Sequence, residues 1–245
     1  MQRYLTVALI PLLALLVLPA DAVGLIYPCY HPDVTPVLDG NVLDDPAWSN
    51  IPAATGFSVL GGDFTEAKQT SFQACWDDAA LYLAVVCEEP DVARLDPGVH
   101  DGGEAWLDDG VELFLRAGDR AQVYQFVVTS GGARASGEGA AEFLRIEVGT
   151  SAADASYTLE IAVPHAILQA TPQTGDLWRG NLCRNIFTTN SGGDKFTSWA
   201  PLQRRFLEPE HFAGIELRGP APDAARGAAA NEALNSPYRA HLLTL

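Results

Sequence analysis

The stretch Glu104-Ala-Trp-Leu-Asp-Asp-Gly-Val-Glu-Leu-Phe-Leu-Arg116 joins a polar lead-in to the clearest strand of the chain. After Gly110 the side chains alternate with a period of two. Val111, Leu113 and Leu115 point one way, and Glu112, Phe114 and Arg116 point the other. This alternation is typical of a β-strand whose two faces have different surroundings.

Trp106 lies in the lead-in, about one turn upstream of the strand carboxylate Glu112. A flat apolar ring beside a hydrogen-bonding carboxylate suits a sugar, which has C–H groups on its faces and hydroxyls around its edge. The alternative is that Trp106 only closes the end of the fold, because buried aromatic side chains are common in cores. These two residues alone leave both interpretations open.

The first 22 residues have the pattern of a secretory signal peptide. Arg3 supplies the positive charge, residues 5–18 are an apolar run, and Ala20-Asp-Ala22 is an A-x-A cleavage site. The apolar run is short for a membrane span, and no second run follows it. We therefore expect a mature chain that starts at Val23, is secreted or periplasmic, and has no membrane span.

The chain is strongly acidic, with a formal net charge of −16. Cleavage after residue 22 would remove one base, Arg3, and one acid, Asp21, and so leaves that charge unchanged. A protein of this charge repels nucleic acid and anionic membranes, so neither is expected as a partner. A neutral sugar feels no such repulsion.

Short apolar strands separated by turn signals fill most of the mature chain. The predicted strands are residues 70–76, 81–87, 111–116, 123–129, 143–149, 157–163, 178–187 and 214–217. This spacing predicts an all-β sandwich or barrel with short helical turns only. We expect one domain over residues 23–218, followed by a flexible C-terminal tail at 219–245 that is rich in Pro, Ala and Gly, with residues 231–243 as the candidate for one helical piece.

The hairpin formed by the first two of these strands limits the cysteine pairing. If Trp76 pairs with Leu81, Cys75 and Cys87 lie on opposite faces and ~17 Å apart along the hairpin. A disulfide cannot span that distance, so we predict that these two cysteines are not joined. Export permits other pairings, which stay open, and no Cys/His spacing indicates zinc.

Six groups of motifs then occur in order along the chain. They are Leu38-Asp-Gly with Asp45-Pro-Ala-Trp48; Trp76-Asp-Asp with Leu81-Tyr-Leu and Glu89-Pro-Asp91; Trp106-x-Asp-Asp-Gly-Val-Glu112-Leu-Phe; Tyr124-x-Phe; Tyr157-Thr-Leu-Glu-Ile-Ala-Val-Pro164; and Phe206-x-x-Pro-x-x-Phe212-x-Gly-Ile-x-Leu217. Together they resemble the family 9 carbohydrate-binding modules and the wider superfamily around them, over residues 35–218.

The resemblance implies a jelly-roll-like β-sandwich of two antiparallel sheets, with sugar held between two aromatic side chains at one end. Trp106 matches the first aromatic position and Glu112 the carboxylate that binds hydroxyls. The second aromatic position, usually Trp, falls on Phe206, which offers less stacking area and no N–H group. The Asn that accompanies it has no counterpart, and Arg204 or Arg205 is the candidate replacement.

The family also holds calcium in structural loops. The candidates here are Asp91, Asp96 and Asp101, because calcium prefers several hard oxygen ligands. The alternative is an acidic loop that is simply solvated. No other cofactor is expected.

The resemblance favours an exported, non-catalytic carbohydrate-binding protein that assists a secreted glycoside hydrolase in polysaccharide breakdown. The alternative is a cell-surface or extracellular scaffold with a degraded sugar site, which Phe206 suggests. A hydrolase would need a second carboxylate across the sugar from Glu112, and no spacing singles out Asp108 or Asp109 for that role. A haem-binding module is disfavoured because the only Met, Met1, leaves with the signal peptide.

Arg184 introduces a competing role for Glu112. A buried arginine requires a carboxylate partner, and Glu112 and Glu160 are both candidates. If Arg184 pairs with Glu112, the carboxylate is structural rather than sugar-facing. The sequence leaves this competition open. It also leaves open whether Trp199 packs in the core, which is favoured, or reaches the rim of the site.

Overall fold

The computed structural model describes residues 24–42, 44–65, 68–95, 98–137, 144–151, 155–187 and 195–244. The strands in these ranges are β1 (Ile26–His31), β2 (Ser58–Val59), β3 (Thr70–Trp76), β4 (Ala80–Glu88), β5 (Gly110–Arg116), β6 (Tyr124–Thr129), β7 (Arg134–Ser136), β8 (Arg145–Ser151), β9 (Ser156–Pro164), β10 (Leu177–Asn185), β11 (Phe196–Ser198) and β12 (Ala213–Pro220). The same ranges contain one α-helix, α1, which spans Ala224–Leu242. The predicted signal peptide lies outside these ranges. Within them, no helix has the length and hydropathy needed to cross a membrane.

The strands form one curled sheet in which β1 is the link between two antiparallel halves. The order along the sheet is β7-β6-β5-β10-β12-β1-β3-β4-β9-β8, and β11 pairs with both β10 and β2. β1 runs parallel to β12 and also parallel to β3, which it meets at the pair Tyr30 and Cys75. The predicted arrangement of two separate sheets is not confirmed, and the prediction of antiparallel pairs only is wrong, because β1 makes the sheet mixed.

The inner faces of the two halves meet in a single apolar core. Val111, Leu113 and Leu115 of β5 are buried in it, as their alternation predicted. Trp199 also lies in this core, with its ring edge-to-face against Phe72 at 5.1 Å. The favoured core position of Trp199 is therefore confirmed.

The hairpin of β3 and β4 has the predicted register. Trp76 pairs with Leu81, and Cys75 pairs with Tyr82. Cys87 lies in the main core, whereas Cys75 lies in a second apolar cluster on the opposite face of the sheet. All four cysteines are buried, and the placement of Cys75 and Cys87 on opposite faces, on which the prediction of no bridge between them rests, is confirmed. Burial raises the pKa of the Cys75 thiol, which keeps it uncharged.

Glu160, in the middle of β9, holds the turn at residues 38–40 and Trp48 against the sheet. One of its carboxylate oxygens accepts hydrogen bonds from the amides of Asp39 and Gly40 at 2.9 and 2.8 Å. The other accepts from the Trp48 indole at 3.1 Å. The motif at residues 38–48 is therefore in direct contact with the motif at residues 157–164, and the Trp48 side chain is buried.

The segment predicted as a loose tail forms helix α1. Asp223 caps its first turn by accepting a hydrogen bond from the Arg226 amide. Near the other end, the buried Asn235 accepts from the Thr55 amide and donates to the Ala53 carbonyl, both at 2.9 Å. The prediction of short helical turns only is wrong here, because these bonds hold a 19-residue helix on the loop that precedes β2.

Arg184, on β10, ties one half of the sheet to the other. Its side chain is fully buried, and the nearest acidic group is Glu89, with Nη2 at 3.8 Å from a carboxylate oxygen. The guanidinium donates to four oxygens at 2.7–3.3 Å, namely the carbonyls of Lys68, Gln69 and Glu88 and the hydroxyl of Thr70. These acceptors flank β3 and β4. Arg184 therefore pairs with neither Glu112 nor Glu160, and Glu112 is not its counter-ion.

We expect Arg184→Leu to lower the free energy of unfolding by about 3–5 kcal/mol, because it removes the hydrogen-bond donor from several buried oxygens. Urea denaturation followed by tryptophan fluorescence measures the change. Arg94→Leu is the matched control, since Arg94 is exposed, and a change of less than about 0.5 kcal/mol is expected there. Equal effects of the two substitutions would contradict the role given to Arg184.

Candidate functional site

A single long loop, residues 200–212, lies over the outer face of β5 and β10. Leu202 and Phe212 of this loop pack against Phe114 of β5 and Cys183 of β10. The loop is fixed internally by Glu208, which is almost fully buried and accepts hydrogen bonds from the amides of Gln203 and Arg204. This arrangement gives the outer face of the sheet a second packed layer.

A cavity of about 400 Å³ opens between this loop and the short helical turn Ala105–Leu107. Its lining contains every residue that the sequence singled out for sugar contact: Trp106, Glu112, Arg204, Arg205 and Phe206. These residues come from three separate segments of the chain. The cavity lies on the outer face of the sheet, near the N-terminal end of β5 and beside β11.

Glu112 is the buried acceptor of the cavity, with a relative exposure of 6%. Gln125 of β6 donates to one carboxylate oxygen at 2.7 Å, and Asn185 of β10 donates to the other at 2.9 Å. Each carboxylate oxygen has two lone-pair directions, so each retains one for a hydroxyl donor. The two amides fix the orientation of the carboxylate and leave it able to accept further hydrogen bonds.

Gln125 and Asn185 also line the cavity, and sequence reasoning did not assign them to it. The signal that identifies them is the strand pairing. Glu112 pairs with Cys183 on one side and with Val127 on the other, so Asn185 and Gln125 are two residues away on the same face. Alternation along β10 puts Asn185 on the same face as Cys183, but the sequence does not indicate which strand lies beside it.

The aromatic side chains of the cavity form a connected wall. Trp106 is 47% exposed, which leaves much of its ring available. Phe206 meets Phe196 edge-on at 5.8 Å between ring centroids, and Phe196 meets Phe187 in the same way at 5.9 Å. Phe187 and Phe196 were not predicted as site residues. Their edge contacts hold the Phe206 ring in one orientation.

The charged groups of the cavity are two arginines and one carboxylate. Arg204 is 82% exposed and lies 3.6 Å from Glu208, and Arg205 is also exposed. Among the described residues that line the cavity, Glu112 is the only acidic one. Asp109 is buried and accepts a hydrogen bond from the Phe187 amide at 3.2 Å, and neither it nor Asp108 is part of the lining.

The residues proposed for calcium have other contacts where the structure describes them. Asp101 accepts hydrogen bonds from the amide and the Nε of Arg134 at 3.0 and 3.2 Å. The amide of Asp91 donates to Glu89 at 3.1 Å, and Asp96 lies outside the described residues. No group of three or more His, Cys, Asp or Glu within the described ranges is placed to hold a metal. The calcium site stays a prediction.

A β-rich fold with a cavity that combines an exposed Trp, a wall of Phe rings and an oriented carboxylate is typical of a binding module. The chain matches the family described as "Carbohydrate family 9 binding domain-like" over residues 38–219. It therefore belongs to that family, and the resemblance noted from its motifs is confirmed. A search of curated proteins gives no match.

The fold is also similar to solved structures. A family 9 carbohydrate-binding module from Caldicellulosiruptor kristjanssonii in complex with cellotriose has a TM-score of 0.58 and 19% identity, covering 82% of this chain and 96% of the module. The complex of that module with glucose gives the same TM-score and identity, with coverage of 78% and 95%. A protein from Bacteroides uniformis has a TM-score of 0.63 and 16% identity, covering 80% and 100%. At these identities the likeness shows the fold alone.

The anchoring of the loop by Glu208 should depend on pH. Hydrogen bonds from the Gln203 and Arg204 amides lower the pKa of this carboxyl from its ordinary value of 4.5. Because the folded pKa is the lower one, the anchor is fully stabilising above the ordinary value and is lost as the pH falls through the lowered one. We expect the protection of both amides from hydrogen exchange to be constant from neutral pH down to the ordinary pKa and to fall at lower pH, as the Glu208 carboxyl becomes protonated.

Nuclear magnetic resonance measures this protection, expressed relative to the intrinsic exchange rate at each pH. Glu208→Gln should lower the protection of the two amides already at neutral pH. Glu210→Gln, a change at an exposed neighbour in the same loop, should leave it unaltered. Equal protection of the two amides in the wild-type protein and in Glu208→Gln at neutral pH would show that another contact holds the loop.

Proposed function

We propose that this protein is an exported, non-catalytic carbohydrate-binding protein and that sugar binds in the cavity between Trp106 and Phe206. The observation that carries the proposal is the environment of Glu112. A buried carboxylate, oriented by two amides, lies beside aromatic rings in a cavity large enough for a small ligand. A sugar presents apolar C–H faces, which pack on aromatic rings, and a polar edge of hydroxyls, which donate hydrogen bonds to a carboxylate.

Each group has a separate task in this proposal. The ring of Trp106 stacks on one face of the sugar, and covering its exposed part contributes about 2 kcal/mol. Glu112 accepts hydrogen bonds from two adjacent hydroxyls. Arg204 and Arg205 donate to oxygens at the rim, and Phe206 covers the opposite face of the ring. Water leaves the aromatic surfaces as the sugar enters.

The proposed ligand class is a neutral glucose-type sugar, free or at the end of a β-linked glucan. The similar module from Caldicellulosiruptor kristjanssonii was solved in complex with cellotriose and with glucose, which supports this choice. The strong negative charge of the chain also favours a neutral ligand over a polyanionic polymer.

A binding role rather than a catalytic one is proposed because hydrolysis requires two carboxylates on either side of the glycosidic bond. Glu112 has no acidic companion among the described residues of the cavity lining. We further propose that the protein assists a secreted glycoside hydrolase by holding polysaccharide near it. Export rests on the signal-peptide pattern of residues 1–22, and calcium at Asp91, Asp96 and Asp101 rests on the family resemblance.

Isothermal titration with cellotriose and with glucose tests the site. We expect binding by the protein that begins at Val23, and a loss of affinity of about tenfold or more in Trp106→Ala, because the stacking surface is removed. Leu177→Ala is the matched control, since Leu177 is 44% exposed and does not line the cavity. The same titrations with and without calcium test the metal.

No binding across a wide panel of oligosaccharides would contradict the proposal. It would favour the alternative of an extracellular scaffold whose sugar site is degraded. The presence of Phe206 at a position that is usually Trp, together with its edge contact to Phe196, is the observation that favours this alternative. Under that alternative, Trp106→Ala leaves the scaffold function unchanged, because the sugar site no longer contributes to it.

We also expect Phe206→Trp to bind cellotriose several-fold more tightly than the wild-type protein does. The indole offers a larger stacking area than phenyl and adds an N–H donor. Titration of the variant measures the gain, with its melting temperature as a check on folding. Unchanged or weaker binding by a folded variant would show that Phe206 does not face the sugar.

A further inference from the structure

Two arginines lie directly opposite each other on the outer face of the sheet. Arg116 of β5 pairs with Arg179 of β10 in the antiparallel register. Like charges in such a pair destabilise a sheet. Neither guanidinium takes part in any of the ion pairs found among the described residues, although the chain has 31 acidic residues. The pair therefore has a cost to folding that no ion pair among the described residues offsets.

Both arginines line a second cavity, of about 690 Å³. The rest of its lining is mostly apolar and includes Leu25, Pro201 and Pro209. The Nε of Arg116 is enclosed, and it has no hydrogen-bond acceptor among the described residues. A buried guanidinium nitrogen without an acceptor adds to the cost of holding Arg116 in this position.

This cavity is distinct from the one proposed for neutral sugar. Phe114 lines the first cavity and Phe212 lines the second, and their rings pack at 5.7 Å between centroids. Arg116 lies on the same face of β5 as Glu112 but four residues further along, which is ~14 Å. The two aromatic rings therefore separate the two cavities along one strand.

The charges of the second cavity define the ligand it suits. Two arginines and Glu210 line it, so its formal charge is 2 − 1 = +1 with His211 neutral. This charge matches a singly charged anion better than a doubly charged one. Adjacent guanidiniums offer planar pairs of N–H donors that fit the two coplanar oxygens of a carboxylate. The volume is greater than a bare ion needs and falls in the range of small-molecule sites.

We propose that Arg116 and Arg179 form a second binding site, for the carboxylate of an acidic sugar of the uronic acid class. The carboxylate accepts hydrogen bonds from the terminal N–H groups of both guanidiniums. The sugar ring lies against the apolar residues of the lining. The proposal stands independently of sugar binding at Trp106, because it uses a different cavity and a different chemistry.

Titration with sodium glucuronate, with glucose as the neutral control, tests this proposal on the protein that begins at Val23. We expect glucuronate to bind and Arg179→Gln to weaken that binding about tenfold to a hundredfold, since charge-assisted hydrogen bonds are lost. Glu210→Gln keeps both arginines, and we expect it to bind at least as tightly as wild type. Trp106→Ala should bind glucuronate normally, even if it no longer binds glucose.

Several results would overturn the proposal: no binding of glucuronate, equal binding by wild type and Arg179→Gln, or loss of binding in Trp106→Ala, which would place the ligand in the other cavity. Inorganic sulfate that binds as tightly as glucuronate would also overturn it, because the site would then recognise oxyanions without the sugar.

The stability of the unliganded Arg179→Gln variant provides a second readout. Because the substitution relieves a like-charge pair, we expect its melting temperature to be unchanged or raised by up to about 4 °C. A large fall would show that Arg179 is structural. Arg179→Lys then tests, in a folded protein, whether binding needs the paired N–H donors of the guanidinium. It keeps the charge without the paired donors, so we expect several-fold weaker binding, and equal binding would contradict the proposal.

Discussion

The buried guanidinium of Arg184 sets the register on which both the core and the site depend. It is removed from water, and the carbonyls around β3 and β4 compensate for that loss with short hydrogen bonds. Because alternate residues of a strand face opposite sides, seating Arg184 in the core places Asn185 on the outer face. There its amide reaches Glu112. A shift of one residue in β10 would exchange these two side chains and would destroy the core and the site together.

The outer face of the sheet acquires its chemistry from one loop, residues 200–212. Phe212 and Leu202 pack onto β5 and β10, so the loop is held by apolar contacts at both of its ends. Glu208 fixes the part between them through two backbone amides. The loop thereby forms one wall of the cavity that contains Glu112 and one wall of the cavity that contains Arg116. The strands hold the polar side chains of both cavities at fixed spacing. The loop determines how far each of these side chains is shielded from solvent.

Features that depend on neighbouring residues in the chain were predictable from the sequence, and those that depend on which strands meet were not. Alternation identified the buried face of β5, and the turn after Trp76 gave the register of the first hairpin. Family resemblance placed Trp106 and Glu112 in one cavity. Gln125 and Asn185 were missed, because assigning them requires knowing which strands flank β5. β1 was missed because Pro28 argues against a strand. Only residues 231–243 were considered as a helical piece, and the full extent of α1 was missed because its Ala-rich sequence has little apolar periodicity.

The position of β1 has a consequence for how the protein is made. The first strand of the chain lies between β3 and the last strand, and Ile26 pairs with Gly214. As the chain emerges from the ribosome, β3 and β4 can form a local hairpin, but β1 has no partner on its other side until β12 has been synthesised. Contacts so distant in sequence form slowly, since the whole intervening chain must be ordered first. Native closure of the sheet therefore has to wait for β12, and a nascent chain stays open for as long as that strand is missing.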